Sequence, residues 1–410
     1  MDGRIRKAER QVTVSLWQRT PPHGTEQCDV AIIGAGITGL SAAIELEARG
    51  TSAIILESEY AGSKASGRNA GFLIRGAAEN YALASRALGR ETTKFLWEWT
   101  QQNLTGLKAL GIESLPGYDQ RPSCIVALSD PEHRELIDSN EMMNEDGFRC
   151  SLVTPDDAPS DPLWRSGKPT LGLLNPDDAV CSPVELVGLL GASLTATPVF
   201  EQAEVFRIED EGNRIALRTR SVDVVCSRVL VCTNAYGSSL LPALSGLITP
   251  NRGQMLAIKP RERAHARLEY AYYLNHGSEY VRSAPNDQII FGGARIHHAQ
   301  EEATSADETS DGVQSRLEQF VCELITTEYD ITARWSGIMG FSPDGMPLIA
   351  NVPAPTASSA HIWFCGGLTG HGMSMGYQTA RHAVRVMLED EPTRFGPERF
   401  TGGGGASPAK

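Results

Sequence analysis

The stretch CDVAIIGAGITGLSAAIELEARGTSAIILESE, Cys28 to Glu59, restricts the fold more than anything else in the chain. Asp29–Ile33 is a short apolar run rich in Val and Ile, the pattern of a buried parallel strand. Gly34-Ala35-Gly36-Ile37-Thr38-Gly39 follows at once. From Ile37 to Arg49 the apolar residues Ile37, Leu40, Ala43, Ile44 and Leu46 recur at helical spacing, and Gly50 stands where that helix should stop. A second strand is expected over Ser52–Leu56, ending at Glu57. Strand, glycine turn, helix, strand and acid in this order form a dinucleotide-binding unit of Rossmann type, so the fold class is α/β.

Each part has a physical task. Gly34 permits the tight turn, Gly36 lets a pyrophosphate approach the backbone, and Gly39 lets helix and strand pack closely. The helix start at Ile37 and Thr38 offers free N–H groups and a partial positive charge to phosphates. Glu57, with Ser58 beside it, can accept hydrogen bonds from adenosine ribose hydroxyls and would repel a 2′-phosphate, so NADP is disfavoured. The turn alone does not say whether the nucleotide is a nicotinamide or a flavin.

Bulk properties narrow the field. The 410 residues suffice for two domains. A net charge of −13 without any basic run makes nucleic acid and anionic membrane surfaces poor partners. No apolar stretch reaches transmembrane length, and MDGRIRKAERQVTVSLWQRT lacks the continuous apolar core of a signal peptide. The eight cysteines show neither CxxC nor metal-ligand spacing. They read as small core residues in a reducing cytoplasm, and no metal is expected.

Three later stretches bear on the choice of nucleotide. ASGRNAGFLIRG, Ala65–Gly76, has the small residues that let a backbone run beside a flat ligand. RVLVCTNAYG, Arg228–Gly237, reads as a buried strand over Val229–Cys232 entering a turn at Thr233, Asn234 and Ala235. Before it, AEVFRIED and RIALRTRSVDVVCS read as two or three strands with a turn at Glu211-Gly212-Asn213. WFCGGLTGHGMSMGYQTARHAVRVMLED, Trp363–Asp390, is expected to carry a strand over His361–Cys365, a glycine turn and a long amphipathic helix. The N–H groups near Gly370–Met373 suit a flavin, whose N1 and C2 carbonyl gain negative charge on reduction.

Taken in order, the glycine turn, SGRNAG, TNAYG, RGQ (Arg252–Gln254), WSGIMGFSPDGMPLI (Trp335–Ile349) and GGLTGHGM resemble the FAD-dependent D-amino-acid oxidase superfamily, and within it the glycine/sarcosine oxidase and gamma-glutamylputrescine oxidase branch. The resemblance spans about Asp29 to Glu389. It implies a glutathione-reductase-type FAD domain with a second, mixed-sheet substrate domain. The FAD domain is expected in three pieces, 27–90, 175–238 and 334–390, and the substrate domain in two, 91–174 and 239–333. Residues 1–26 are expected to be an arm and 391–410 a flexible tail. The roof of the substrate domain is expected over Glu269–Arg295, as three strands with turns at His276-Gly277-Ser278 and Pro285-Asn286-Asp287. The roof tyrosines Tyr270, Tyr272, Tyr273 and Tyr280 are candidates to line a substrate cavity, with Tyr273 the candidate for a catalytic part.

The resemblance also implies residue roles. Gly34, Gly36 and Gly39 match the pyrophosphate turn, Glu57 the ribose acid, and Ser66, Gly67, Arg68, Asn69, Ala70 and Gly71 the segment passing the flavin ring. Val205 is the candidate backbone clamp on adenine. Gly340, Gly367, Thr369, Gly370, His371, Gly372 and Met373 belong to the late flavin-edge set, with His371 securing its turn. Arg75 falls where an arginine binds the substrate carboxylate in sarcosine oxidases, but Ser374 stands where they have a lysine. Gly337 near the cysteine used for covalent flavin attachment implies non-covalent FAD. Arg295 and His297 stand near the place of the O2-activating lysine. The implied reaction removes hydride from a carbon beside an amine nitrogen onto flavin N5. The imine then hydrolyses and O2 becomes H2O2. The amine must be neutral to react, and burial favours that form. A dehydrogenase with another acceptor, a flavin monooxygenase, and a flavoprotein whose FAD is structural remain as alternatives, and the chain is expected to be a monomer or homodimer.

Overall fold

The computed structural model describes residues 5–7, 24–77, 79–210, 213–353 and 361–400. Their contacts divide the chain into two units. The first comprises residues 1–67, 186–251 and 339–409, and the second residues 68–185 and 252–338.

The first unit is built on a sheet whose centre is parallel. Strand Gly24–Ile33 lies between Ala53–Leu56 and Val222–Val231, and Val199–Glu201 continues the sheet beyond Ala53–Leu56. Val30, Ala31 and Ile32 are fully buried, as an apolar run covered on both faces must be. Strand Val222–Val231 divides its second edge between two partners. Its first half pairs with the antiparallel strand Ile215–Arg218, and its end pairs with the parallel strand Ile362–Gly366. This single element covers what the sequence suggests as two strands; its burial alternates over 222–227, and it is fully buried at Val229–Val231. The pairing explains the change, since only the second half lies between two parallel neighbours. Register brings Ile33, Leu56, Val231 and Phe364 level, so four strands end side by side.

The helix over Ile37–Ala48 stops before Gly50, whose φ of +67° suits glycine. The late helix, Gly372–Glu389, ends at Asp390 in the left-handed region. The expected tail begins later than residue 391. Phe395 is fully buried and its carbonyl accepts the Ile349 N–H at 2.9 Å, while Arg399 pairs with Asp344 at 2.7 Å. Residues 401–410 and Glu211-Gly212 lie outside the described residues, as does most of the N-terminal arm.

The second unit carries a mixed sheet. From Tyr329–Phe341 it runs through Thr249–Pro260, Gln288–Gly293, Glu279–Ala284, Ala271–Leu274, Ser123–Ala127 and Leu171–Asn175 to Ser151–Val153. The three roof strands stand as read, and Asn275, His276, Gly277, Asn286 and Asp287 take positive φ in the two turns. Residues 68–90, read as part of the FAD domain, make their contacts in the second unit. Phe72 pairs with Val180 across two short strands, and Tyr81 packs edge-on against Trp97 at 4.9 Å.

The two faces of this sheet differ. One holds Tyr272, Leu274, Val281, Ile289, Phe291, Leu256 and Ile258 against the helix Asp311–Leu324, giving an apolar core. Tyr272 belongs here, donating to Asp161 at 2.6 Å and accepting from Trp164 Nε1 at 3.0 Å, so it does not join Tyr273. At one end of the sheet Arg252 is buried in a two-point ion pair, its Nε and Nη2 donating to Glu302 at 3.0 and 2.7 Å. Gln254 Nε2 donates to the same carboxylate at 2.9 Å, and its Oε1 accepts the Ser310 N–H. The RGQ motif is therefore a fastening for the segment 302–310.

Candidate active site

In the first unit the motifs of the sequence meet at the level strand ends. A Cβ on Gly39 would lie 1.9 Å from the Gly34 carbonyl oxygen, and one on Gly36 would lie 2.7 Å from Ser66 Oγ. Backbone therefore approaches backbone here, as a pyrophosphate cradle requires. Gly36 caps the helix without a side chain, so no capping oxygen from that residue covers the first N–H groups. Ser66 Oγ accepts the Ile37 N–H at 3.0 Å and ties the short helix Ala65–Arg68 to the helix start. The Glu57 carboxylate is buried, accepting from the Ala35 N–H at 2.8 Å, the Glu59 N–H at 2.9 Å and Ser58 Oγ at 3.0 Å.

The late turn stands beside this cradle. A Cβ on Gly376 in the late helix would lie 3.2 Å from the Ile37 side chain and 3.7 Å from Thr38 Oγ1. Asn234, at a φ of +46°, holds the arrangement together. Its Oδ1 accepts the Gly367 N–H at 2.9 Å and the Leu368 N–H at 3.5 Å, and a Cβ on Gly340 would meet it at 2.6 Å. The Gly340 carbonyl in turn accepts the Thr369 N–H at 2.9 Å. His371 Nδ1 lies 2.8 Å from the Thr369 carbonyl, which fixes a proton on that nitrogen, and burial lowers its pKa. The histidine thus secures the turn Thr369–Gly370 from within. Gly372 opens the late helix and Met373 is buried in its first turn. Thr233 Oγ1 is buried at the end of its strand with no hydrogen-bond partner among the described residues, the state of a group that awaits a ligand. A glycine-walled cradle, helix N–H groups, a buried acid and an orphaned hydroxyl fit FAD.

Val205 lies in the segment between the strand Val199–Glu201 and the strand Arg207–Asp210. It packs on the apolar core of the sheet. Its neighbours in sequence alternate like a strand, but pairing begins only at Arg207.

In the second unit residues 68–71 are tightly held. Asn69 Oδ1 accepts the Gly71 N–H at 2.8 Å, and a Cβ on Gly71 would lie 2.0 Å from the Cys181 carbonyl oxygen. Arg68 donates to the Ser336 carbonyl at 2.7 Å and pairs with Asp307 at 2.9 Å. Arg282, which the sequence reading passed over, donates to the Ala70 carbonyl and, at 3.5 Å, to the Cys181 carbonyl. It forms no ion pair among the described residues. Burial pushes its pKa down to about 10, which still leaves it charged at neutral pH.

Tyr280 and Arg282 share the sheet face opposite the core with Met255, Tyr273, Ser123, Ile125, Leu173 and Asn175, by the strand registers. Phe72 packs on Tyr273 and Tyr280 at ring distances of 4.8 and 5.8 Å. Tyr280 donates to Met255 Sδ at 3.4 Å. No acid occupies these strand positions.

Arg75 and Tyr273 come together at a small cavity, and Arg295 and His297 do not join them. Arg75 is buried, 3.5 Å from Asp178 and 3.6 Å from Asp177, and donates to the Arg149 carbonyl at 2.6 Å. This is an internal ion pair, a different setting from the open carboxylate clamp expected from its place in the sequence. Arg295 follows the roof in a 3-10 turn, where burial lowers its pKa and the Tyr280 hydroxyl and Glu302 oppose that effect. His297 is 44% exposed and 3.7 Å from Glu279, on the other side of the sheet.

Glu279 is 2% exposed, and its Oε2 accepts from Asn275 at 2.8 Å while Oε1 has no hydrogen-bond partner among the described residues. Burial pushes its pKa from 4.5 up to about 7. The folded state therefore favours the protonated form, and stability falls as pH rises from about 4.5 through 7. Glu279→Gln should match the parent at pH 5 and exceed it at pH 8 by up to about 3 kcal/mol, read from urea midpoints at the two pH values. Equal midpoints at pH 8 would remove the buried acid from the account.

The match to known proteins agrees with this geometry. The profile of the family described as FAD dependent oxidoreductase (DAO) covers residues 29–386, and the chain belongs to that family. Gamma-glutamylputrescine oxidoreductase of Escherichia coli (strain K12) is 24% identical over 90% of this chain and 85% of its own length. Among solved structures, L-proline dehydrogenase from P. horikoshii shares the fold with a TM-score of 0.74 at 19% identity, over 92% of this chain and 98% of that one. Glycine oxidase from Geobacillus kaustophilus shares it with a TM-score of 0.72 at 19% identity, over 90% and 96%. The cofactor is FAD. No helix among the described residues is long and apolar enough to cross a membrane.

Proposed function

We propose that the chain oxidises a carbon–nitrogen bond of a small primary or secondary amine or amino acid, with O2 as final oxidant and H2O2 and a hydrolysed imine as products. When bound, FAD supplies the two-electron acceptor for this chemistry. Gly34, Gly36, Ile37 and Thr38 would hold its pyrophosphate, Glu57 its ribose, and the turn Thr369–Met373 the pyrimidine edge of its ring.

The observation that carries the amine reading is the face formed by Met255, Tyr273, Tyr280 and Arg282. It bears a cation without an ion-pair partner among the described residues, two phenols and no acid. Such a face disfavours an ammonium ion and favours the neutral amine that the oxidation needs. Arg75 already faces Asp178, and Ser374 stands in place of a second cation, so amines are favoured over simple α-amino acids.

The test is anaerobic mixing of the yellow protein with a panel of amines and amino acids. At least one amine should bleach the flavin, and its rate should rise with pH toward the amine's own ionisation. Bleaching by no amine would sink the reading. Oxygen uptake against dye reduction with the active amine then separates oxidase from dehydrogenase.

A further inference from the structure

A cavity lies inside the second unit, lined by Arg75, Ser123, Asn175 and Tyr273 on its polar side and by Ile74, Tyr81, Trp97 and Met143 among its apolar walls. The space open to the centre of a water molecule is about 10 Å³, room for one water. Among the described residues, two buried polar atoms at this cavity lack a well-formed hydrogen bond: Asn175 Oδ1, and Arg75 Nε, which lies 3.5 Å from Asp178 Oδ1 in the ion pair. Tyr273 lines the same cavity. The arginine nitrogen is a donor, the asparagine oxygen an acceptor, and the tyrosine hydroxyl is both. Buried polar atoms left short of a partner normally mark a buried water. Beyond them, the Ser123 hydroxyl donates to Asp178 Oδ2 at 2.6 Å and accepts from Asn175 Nδ2 at 3.5 Å. That bond direction leaves Ser123 Oγ able to accept once more, from the cavity.

We propose that this cavity holds an ordered water, and that Tyr273, the water and Ser123 form a proton relay ending on Asp178, which takes the proton an ammonium substrate must lose. The proposal rests on the amine reading above. The water accepts from Arg75 Nε and from the Tyr273 hydroxyl, and donates to Asn175 Oδ1 and Ser123 Oγ, which fills its four positions. One proton moves at each link. The substrate nitrogen gives one to Tyr273 Oη as Tyr273 gives its own to the water, the water gives one to Ser123 Oγ, and Ser123 gives its own to Asp178 Oδ2. The net result is a neutral amine and a neutral Asp178 carboxyl. No electrons move.

The energetics are permissive. Burial raises the Asp178 pKa from 3.8 to about 6, with Arg75 and the Ser123 hydroxyl acting against the rise. A free alkylammonium near pKa ~10 would hold its proton against such a group, but burial lowers amine pKa values by up to ~3–5 units and closes most of that gap. The charged and titratable groups facing Asp178 are Arg75, Asp177 with its partner Arg149, and Tyr273, itself next to Tyr280. Tyr273 does not ionise in this setting, since burial holds its pKa well above the usual phenol value, so it passes a proton without storing charge.

The experiment measures the pH profile of amine-driven flavin bleaching in the anaerobic holoenzyme. The parent should show a limb near pH 6, below which the rate falls. Asp178→Asn should lose that limb and slow bleaching at pH 7 by about 10²-fold, the lower range for general-base help. Asn175→Leu fills the cavity, keeps Asp178 and should do the same. A crystal structure of the parent should show the water, with or without a substrate, and an empty cavity overturns the relay even if a variant does not fold. Unchanged limb and rate in the folded variants also overturn it while leaving amine oxidation intact. Failure of every amine to bleach the parent overturns amine reading and relay together.

Discussion

The Gly39→Val protein is expected to purify without its yellow colour. A Cβ at this position would lie 1.9 Å from the Gly34 carbonyl oxygen, and the obstacle is backbone, so no side chain can swing away. The helix must lift from the strand Gly24–Ile33, and its N–H groups then leave the place where the pyrophosphate would be held. Smaller residues do not escape, because alanine carries the same Cβ. Gly50→Ala is the control. It has a positive φ but nothing within 4 Å of an added Cβ, so it should cost on the order of 1 kcal/mol and keep the flavin. The ratio of flavin to protein absorbance, with far-ultraviolet circular dichroism to show folded chain, decides the matter. A fully yellow Gly39→Val protein would remove this turn as the pyrophosphate site.

The second large effect is expected at Arg252→Met. Arg252 and Glu302 are 2% and 0% exposed, and the two-point contact leaves neither group access to water. Methionine fills similar volume but leaves the Glu302 carboxylate buried without a cation, with Gln254 as its main remaining donor. Removing one partner of such a pair costs about 3–5 kcal/mol, whereas replacing both by apolar residues is often neutral. The urea midpoint of Arg252→Met should therefore fall sharply, and Arg252→Met with Glu302→Leu should recover more than half the loss. A single variant with the parent's midpoint would show that Glu302 finds water or a proton in the fold. Flavin binding by the single variant should persist under mild conditions, since the glycine turn and the late turn both belong to the first unit.

The opening strand, helix, second strand and late helix were legible because each is a local pattern. An apolar run covered on both faces and a helix with a 3.6-residue period announce themselves without knowledge of their neighbours. The roof strands were legible for the same reason, their turns being written in Asn, Gly and Asp. Less legible was everything that depends on who sits next to whom. The element Val222–Val231 looked like two strands because its neighbour changes halfway along. Phe395 looked like part of a tail because a single buried aromatic has no period. In the candidate site, the glycines and Glu57 were visible as a motif. Asp178, Arg282 and Glu279 were not, since nothing in NPDDAV or SEYVRSA says which charge is buried. Arg75 was noticed for its charge, yet its partner, more than a hundred residues away along the chain, decides what that charge does.

The level strand ends of the first unit have a consequence for how the protein is made. Of the four strands whose ends come level there, Ile362–Gly366 is synthesised last, while the second unit's chain is complete by Ile338. A chain emerging from the ribosome thus possesses every residue of the later-starting unit before the earlier-starting one can close. Until then the edge of Val222–Val231 that will meet Ile362–Gly366 stands open, with its row of backbone donors and acceptors unclaimed. Nascent chains halted between residues 338 and 362 would carry that raw edge, and chaperone demand should be greatest there.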